Sequence, residues 1–275
     1  MQYSGVISMT WKQICRSSTV LMILAVVVKV FGMLREVVLA GCFGTSYISD
    51  AYLIAASVPV LLFAFIGQAL STVFLPMYNK EKVNNGKEAA DRYANNLLCI
   101  SMLLATVLVI ALVMFPGFFV KVFAIGFEQQ ASALAQKFIR SSAASLYFMV
   151  IISVWSGYLQ THENYVIPAA IAFPRNIIII ISVIAAASID ISLLGYGMLA
   201  AYVGEFLFLL PAIMRTGYRL LPRVDFSDDR IKESLYLVLP ILLGMCVSQI
   251  NKMVTLLFLK QDVKFQFVCV LMDNP

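Results

Sequence analysis

Three charged residues, Lys29, Arg35 and Glu36, sit well inside the first of seven long apolar segments. A charge near the middle of a bilayer costs at least ~2.5–3.5 kcal/mol, so such side chains face a partner or a cavity rather than lipid tails. A helix that carries three of them predicts a polar interior between packed helices. Two of the three are cations, which points to transport of an anionic cargo.

The rest of the chain fits that setting. Of its 275 residues, 61% are hydrophobic and only 13% charged, and the mean hydropathy is +0.89. Soluble domains carry about 25% charged residues, so composition excludes a water-soluble core. Windows of 18 or more mostly apolar residues predict spans near 17–43, 49–78, 94–118, 133–160, 165–188, 193–214 and 233–259. Backbone groups within lipid must be satisfied inside the segment, and nothing here alternates as barrel strands do. The fold class expected is an all-α polytopic membrane protein of about seven transmembrane helices.

The basic residues between spans predict the orientation. With the N-terminus in the cytoplasm, the inner segments hold Lys12, Arg16, Lys80, Lys82, Lys87, Arg92, Arg215, Arg219, Arg223, Arg230 and Lys232, against Lys121, Lys137 and Arg140 outside. The first apolar stretch is too long for a signal peptide and has no small-residue cleavage site after it. The cysteines at 15, 42, 99, 246 and 269 form no C-x-x-C pair and read as apolar filling.

Residues 79–93 and 215–232 are mixed-charge connections on the cytoplasmic side, and Ser227 or Asp228 is placed to cap the following helix. The prolines at 59, 168, 174, 211 and 240 fall in or near spans, where they permit kinks. The tail 260–275 has neither a spanning pattern nor an amphipathic period and reads as a truncation.

Arg35 lies six residues beyond Lys29, about 9 Å along the helix and ~120° around it, whereas Glu36 shares the Lys29 face. Lys29 is thus a candidate for lining a cavity, with Arg35 paired to Glu36 or pointing into a helix gap. Asp50 opens the second span, either as a helix-dipole partner or as a gate partner for Arg35. Arg175 follows Pro174 in the fifth span, and Glu205, the one acid deep in the sixth, is its candidate ion-pair partner. His162 reads as a solvated turn residue. The chain has no phosphate loop, no G-x-S-x-G and no His/Asp/Glu cluster. No catalytic residues, metal, cofactor or nucleic-acid partner are therefore expected, and an ion gradient or the membrane potential is the expected energy source.

The stretch Gly32-Met-Leu-Arg35-Glu36, then Phe43-Gly44, Asp50-Ala51-Tyr52, Pro59 and Phe74-Leu75-Pro76, resembles the opening of the MurJ (MviN) flippases. Ile167-Pro168, Leu221-Pro222-Arg223 and Pro240 … Gly244 … Ser248-Gln249-Ile250-Asn251 extend the likeness to about residue 251. The resemblance implies a member of the multidrug/oligosaccharidyl-lipid/polysaccharide exporter superfamily, with two helical lobes around a central cavity. Its implied cargo is lipid II, an undecaprenyl-diphosphate-linked peptidoglycan precursor, moved from the inner to the outer leaflet of the bacterial plasma membrane by alternating access. Carried over by position, Lys29 and Arg35 take the places of cavity arginines, Glu36 that of their acidic neighbour and Asp50 that of the acid opening the second helix. The chain departs from the pattern at Phe63-Ala64, where many members have an Arg pair, and at Gln68-Ala69, where they have Glu-Gly.

The domains implied are a cytoplasmic N-terminus at 1–16, a six-helix N-terminal lobe at 17–222, a loop with the first helix of a second lobe at 223–259, and the atypical tail at 260–275. Substrate contacts are expected from Lys29, Arg35 and Arg175, and gating or ion pairing from Glu36, Asp50 and Glu205. The partners expected are lipid II, membrane lipids and either a second lobe or a second copy of the chain, since one lobe cannot enclose a cavity. The alternatives are an exporter of another lipid-linked oligosaccharide or polysaccharide and an inactive truncated membrane protein.

Overall fold

The computed structural model describes residues 11–124 and 127–221 and, beyond them, residues 224, 225, 228, 230, 231, 233, 234, 236, 237 and 244; side chains are described from residue 19 onward, apart from 65–66 and 68–71. Among these residues all regular structure is helical: α1 (Trp11–Phe43), α2 (Tyr47–Asn85), α3 (Lys87–Met114), α4 (Pro116–Phe123), α5 (Gln129–Ser142), α6 (Ser145–Thr161), α7 (Val166–Ala170), α8 (Ala172–Ser188) and α9 (Leu193–Arg215). Residues 79–93, expected as a partly helical connection, are helix throughout except Gly86. That glycine takes φ 83°, a left-handed value that suits a residue without Cβ, and so separates α2 from α3.

Among the described residues, four of the seven expected segments hold a helix long and apolar enough to cross a membrane, Tyr47–Ala64, Lys87–Met114, Val166–Ser188 and Leu193–Arg215, and a fifth does if α5 and α6, bent by 50° at their junction, count as one span. The bend falls at Ala143–Ala144, inside the segment predicted as one long span. The first segment is helix from Trp11 to Phe43, and within its described side chains, from Thr19 onward, every 18-residue stretch contains Lys29, Arg35 and Glu36. Of the seventh segment only residues 233, 234, 236, 237 and 244 are among the described residues, and the tail 260–275 lies outside them.

Packing follows the helical stripes. In α9, Leu194, Met198, Ala201, Glu205, Leu209 and Ala212 recur at three- and four-residue spacing and are buried. The α8–α9 contact is close because glycines stand in it. A Cβ at Gly197 would lie 2.4 Å from Ser182 Cβ, and one at Gly204 would lie 2.1 Å from Ile178 Cδ1. Small residues let membrane helices approach where lipid supplies no hydrophobic drive between them. In α1, positions 21, 24, 28, 31, 35 and 38 are partly covered. This stripe rests on α8 through the Phe31–Phe173 edge contact (ring centroids 4.7 Å) and the Asn176 amide, which donates to the Val28 carbonyl at 3.4 Å. The opposite side of α1, with Met22, Val26, Val30 and Met33, is exposed.

Apart from Arg35 and Arg175, the basic residues with described contacts fall at two ends of the bundle. At one end Lys80 pairs with Glu233 (2.7 Å) and Lys87 donates to the Thr216 carbonyl. At the other, Arg140 donates to the Val113 carbonyl and Lys137 to Ser192 Oγ. The first end also straps the segment after α9 onto α2 and α3. The Asn96 side chain exchanges two hydrogen bonds with the Asp225 backbone, Asn95 donates to the Arg219 carbonyl, and Tyr93 shares a hydrogen bond with Ser234. Arg230 bridges Asp228 and the buried Glu81. Asp228 Oδ1 accepts from the Arg230 N–H at 3.0 Å, the cap expected at the start of the next helix.

Candidate functional site: a two-arginine cavity

Between α1, α2, α6, α8 and α9 lies a cavity of about 380 Å³, with Arg35, Glu36, Tyr52, Ser57, Ser145, Arg175 and Tyr202 among its lining residues. Each polar group arrives by a local rule. Arg35 is four residues after Phe31 and seven after Val28, so it continues the α1 stripe that rests on α8. Arg175 follows Pro174 in the first turn of α8, directly before Asn176, whose buried amide holds α1. Tyr202 and Glu205 are three apart on α9 and share a face. Ser145 begins α6 at the α5–α6 bend and is buried.

Each arginine has a carboxylate beside it. Arg35 pairs with its neighbour Glu36, both partly open. Arg175 Nη1 lies 3.2 Å from Glu205 Oε1, and its guanidinium sits 5.7 Å from the centre of the Tyr202 ring. A cation over a tyrosine face is held by the ring quadrupole. Glu205 is nearly closed off, with 3% of its side chain exposed, whereas Arg175 retains 31%. A second cavity of about 400 Å³, more apolar, adjoins the first through Val60, Met149, Arg175 and Tyr202 and has Glu205 in its wall.

The cavity therefore brings together Arg35, Glu36 and Arg175 of the expected residues, and Glu205 stands behind Arg175. Lys29 is exposed on α1 and does not line it; Asp50, in the first turn of α2, is exposed and also outside the lining. Tyr202 and the cavity serines went unnoticed in the sequence, and Tyr52 stood there only as part of the Asp50-Ala51-Tyr52 motif. The signal that could have found them is a hydroxyl on the same helix face as a charge within an apolar span. Two guanidinium groups with hydroxyls around them can grip phosphate oxygens through forked donors. Nothing in the lining supplies a nucleophile with an adjacent base.

The family described as lipid II flippase MurJ matches residues 39–261. The lipid II flippase MurJ of Thermosipho africanus is 28% identical over 191 residues, covering 69% of this chain and 39% of that protein. A probable lipid II flippase MurJ of Buchnera aphidicola subsp. Schizaphis graminum is 23% identical over 242 residues, covering 86% and 47%. The chain thus spans about half the length, or less, of these relatives. Among solved structures, an inward closed conformation of lipid II flippase MurJ superposes with a TM-score of 0.71 at 27% identity, over 84% of this chain and 48% of that one. A MATE transporter shares the fold at TM-score 0.63 and 16% identity, over 84% and 54%.

Proposed function

Because the chain belongs to the lipid II flippase MurJ family, we propose that it forms the N-terminal portion of a lipid flippase and contributes half of the path for an undecaprenyl-diphosphate-linked peptidoglycan precursor. The observation that carries this reading is the pair of arginines, Arg35 and Arg175, in one hydroxyl-lined cavity of a multi-pass helical lobe. A diphosphate presents several anionic oxygens at the spacing that forked donors match. The proposed lobe is 17–222, with 223–259 opening a second lobe. Alternating access needs two lobes moving about one site, so translocation requires that second lobe, from the same polypeptide or a partner. Lys29, on the exposed side of α1, then faces the space between lobes. The end bearing Lys80, Lys87 and Arg230 is proposed as cytoplasmic.

The test is lipid II translocation in proteoliposomes holding both lobes. Arg35→Ala and Arg175→Ala are each expected to lower the rate by tenfold or more, the loss of a charge-assisted hydrogen bond worth ~1.5–3 kcal/mol. Wild-type rates with both alanines present would end the cationic-cavity reading.

A further inference from the structure

Glu205 is the one acid in α9, and it lies on the packed face of that helix, behind the arginine cavity and not in it. A buried ionised carboxylate left without its cation is strongly destabilising. Its cation, Arg175, is shared: the guanidinium lines both cavities, with Tyr202 forming part of their common wall. Although Glu205 Oε1 is 3.2 Å from Arg175 Nη1, that oxygen accepts no hydrogen bond among the described residues. The pair is thus held by proximity and not by a directed fork, the weaker of the two arrangements. Arg175 keeps donors to spare, because a guanidinium carries five N–H groups in all. Arg35, in the same cavity, has its own carboxylate in Glu36.

We propose that Glu205 is an internal counter-ion that a phosphate group displaces. In the empty lobe it holds Arg175 against Tyr202; when a diphosphate enters the Arg35 cavity, Arg175 turns its forked donors to the phosphate oxygens. Tyr202 keeps the guanidinium seated throughout, so the carboxylate is loosened and not stranded. Glu205 thereby sets how tightly the cavity holds its anion, weakening a grip that two free arginines would make too strong for release. This inference rests on the diphosphate reading above.

The measurement is the affinity of the purified chain in nanodiscs for two probes, inorganic pyrophosphate and farnesyl diphosphate. Glu205→Gln, which preserves shape and removes the competing charge, is expected to tighten binding about tenfold, and Glu205→Asp, which shortens the reach, by less. In an Arg175→Ala background, Glu205→Gln is expected to change nothing, a coupling that general loosening of the helices does not produce. Tightening with both probes identifies the diphosphate itself as the ligand; tightening with farnesyl diphosphate alone identifies a lipid-borne one. Unchanged or weaker binding in both Glu205 variants, while Arg35→Ala still abolishes binding, overturns the counter-ion role and leaves the diphosphate site standing. Full binding by Arg35→Ala and Arg175→Ala together removes the site itself.

Discussion

At Gly197 a single methyl group would change the distance between two helices. Its Cβ would come within 2.4 Å of the Ser182 Cβ, an atom fixed to the α8 backbone, while Ser182 Oγ is itself committed to the Leu193 carbonyl at 2.8 Å. Overpacking of this kind costs ~1–3 kcal/mol. Gly197→Ala is expected to lower the thermal stability of the detergent-solubilised chain by that amount, and an unchanged melting temperature would show that α8 and α9 can separate freely. The shift matters for function because the same interface sets the reach from Arg175 to Glu205. Arg35→Lys is a finer probe of the cavity. It keeps the charge but loses the fork, so diphosphate binding is expected to weaken by roughly tenfold and not vanish; titration with pyrophosphate reads the difference.

The element with the most to say is the strap that follows α9. Arg230 joins Asp228 to Glu81, both with less than a tenth of the side chain exposed, and Lys80–Glu233 and Tyr93–Ser234 flank it. Arg230→Ala leaves two enclosed carboxylates facing each other and is expected to cost about 2–3 kcal/mol, read as a lower denaturation midpoint and faster amide exchange at residues 228–237. The strap also has a predictable acid limit. The Arg230 guanidinium, donating to Asp228, holds that carboxyl below the usual carboxylate range. A lowered folded value contributes stability that is complete above the unfolded value and is lost as pH falls through the folded one. The separation of spin labels placed at Lys82 and Tyr236 is therefore expected to stay constant from neutrality to about pH 4 and to widen only below it. Widening at pH 5 to 6 would show that another group controls the strap.

Across the whole molecule, the two ends differ in charge and in the kind of contact they make. Lys80, Lys87, Arg219 and Arg230 gather at the strapped end, and Lys137 and Arg140 at the other. Proposed as cytoplasmic, the strapped end is expected to be closed to a membrane-impermeant maleimide in intact cells. A cysteine at Lys82 then reacts only after lysis, and one at Lys121 reacts from outside. The reverse pattern would invert the topology. Among the described residues nothing covers the exposed face of α1, and its apolar residues interrupted by Lys29 suit the proposed surface that meets a second lobe across a cavity.

The amino-acid sequence alone determined the helical membrane class and placed four or five of its spans. Hydrocarbon imposes its length and its cost of charge segment by segment, and no partner is needed to read them. The sequence offered Glu36 as one of two possible partners for Arg35, and the structure shows that pair. Arg175 and Glu205, thirty residues apart, were legible only as candidates: helix rotation and the glycine contacts between α8 and α9 decide that they meet. Lys29 shows the other side of the same limit. Its depth in the first segment is a sequence fact, but only the rotation of α1 on α8 decided that Arg35 enters the cavity and Lys29 does not. Tyr202 and Ser145 were lost among many hydroxyls for the same reason. Periodicity says which residues share a face, and tertiary packing alone says what that face looks upon.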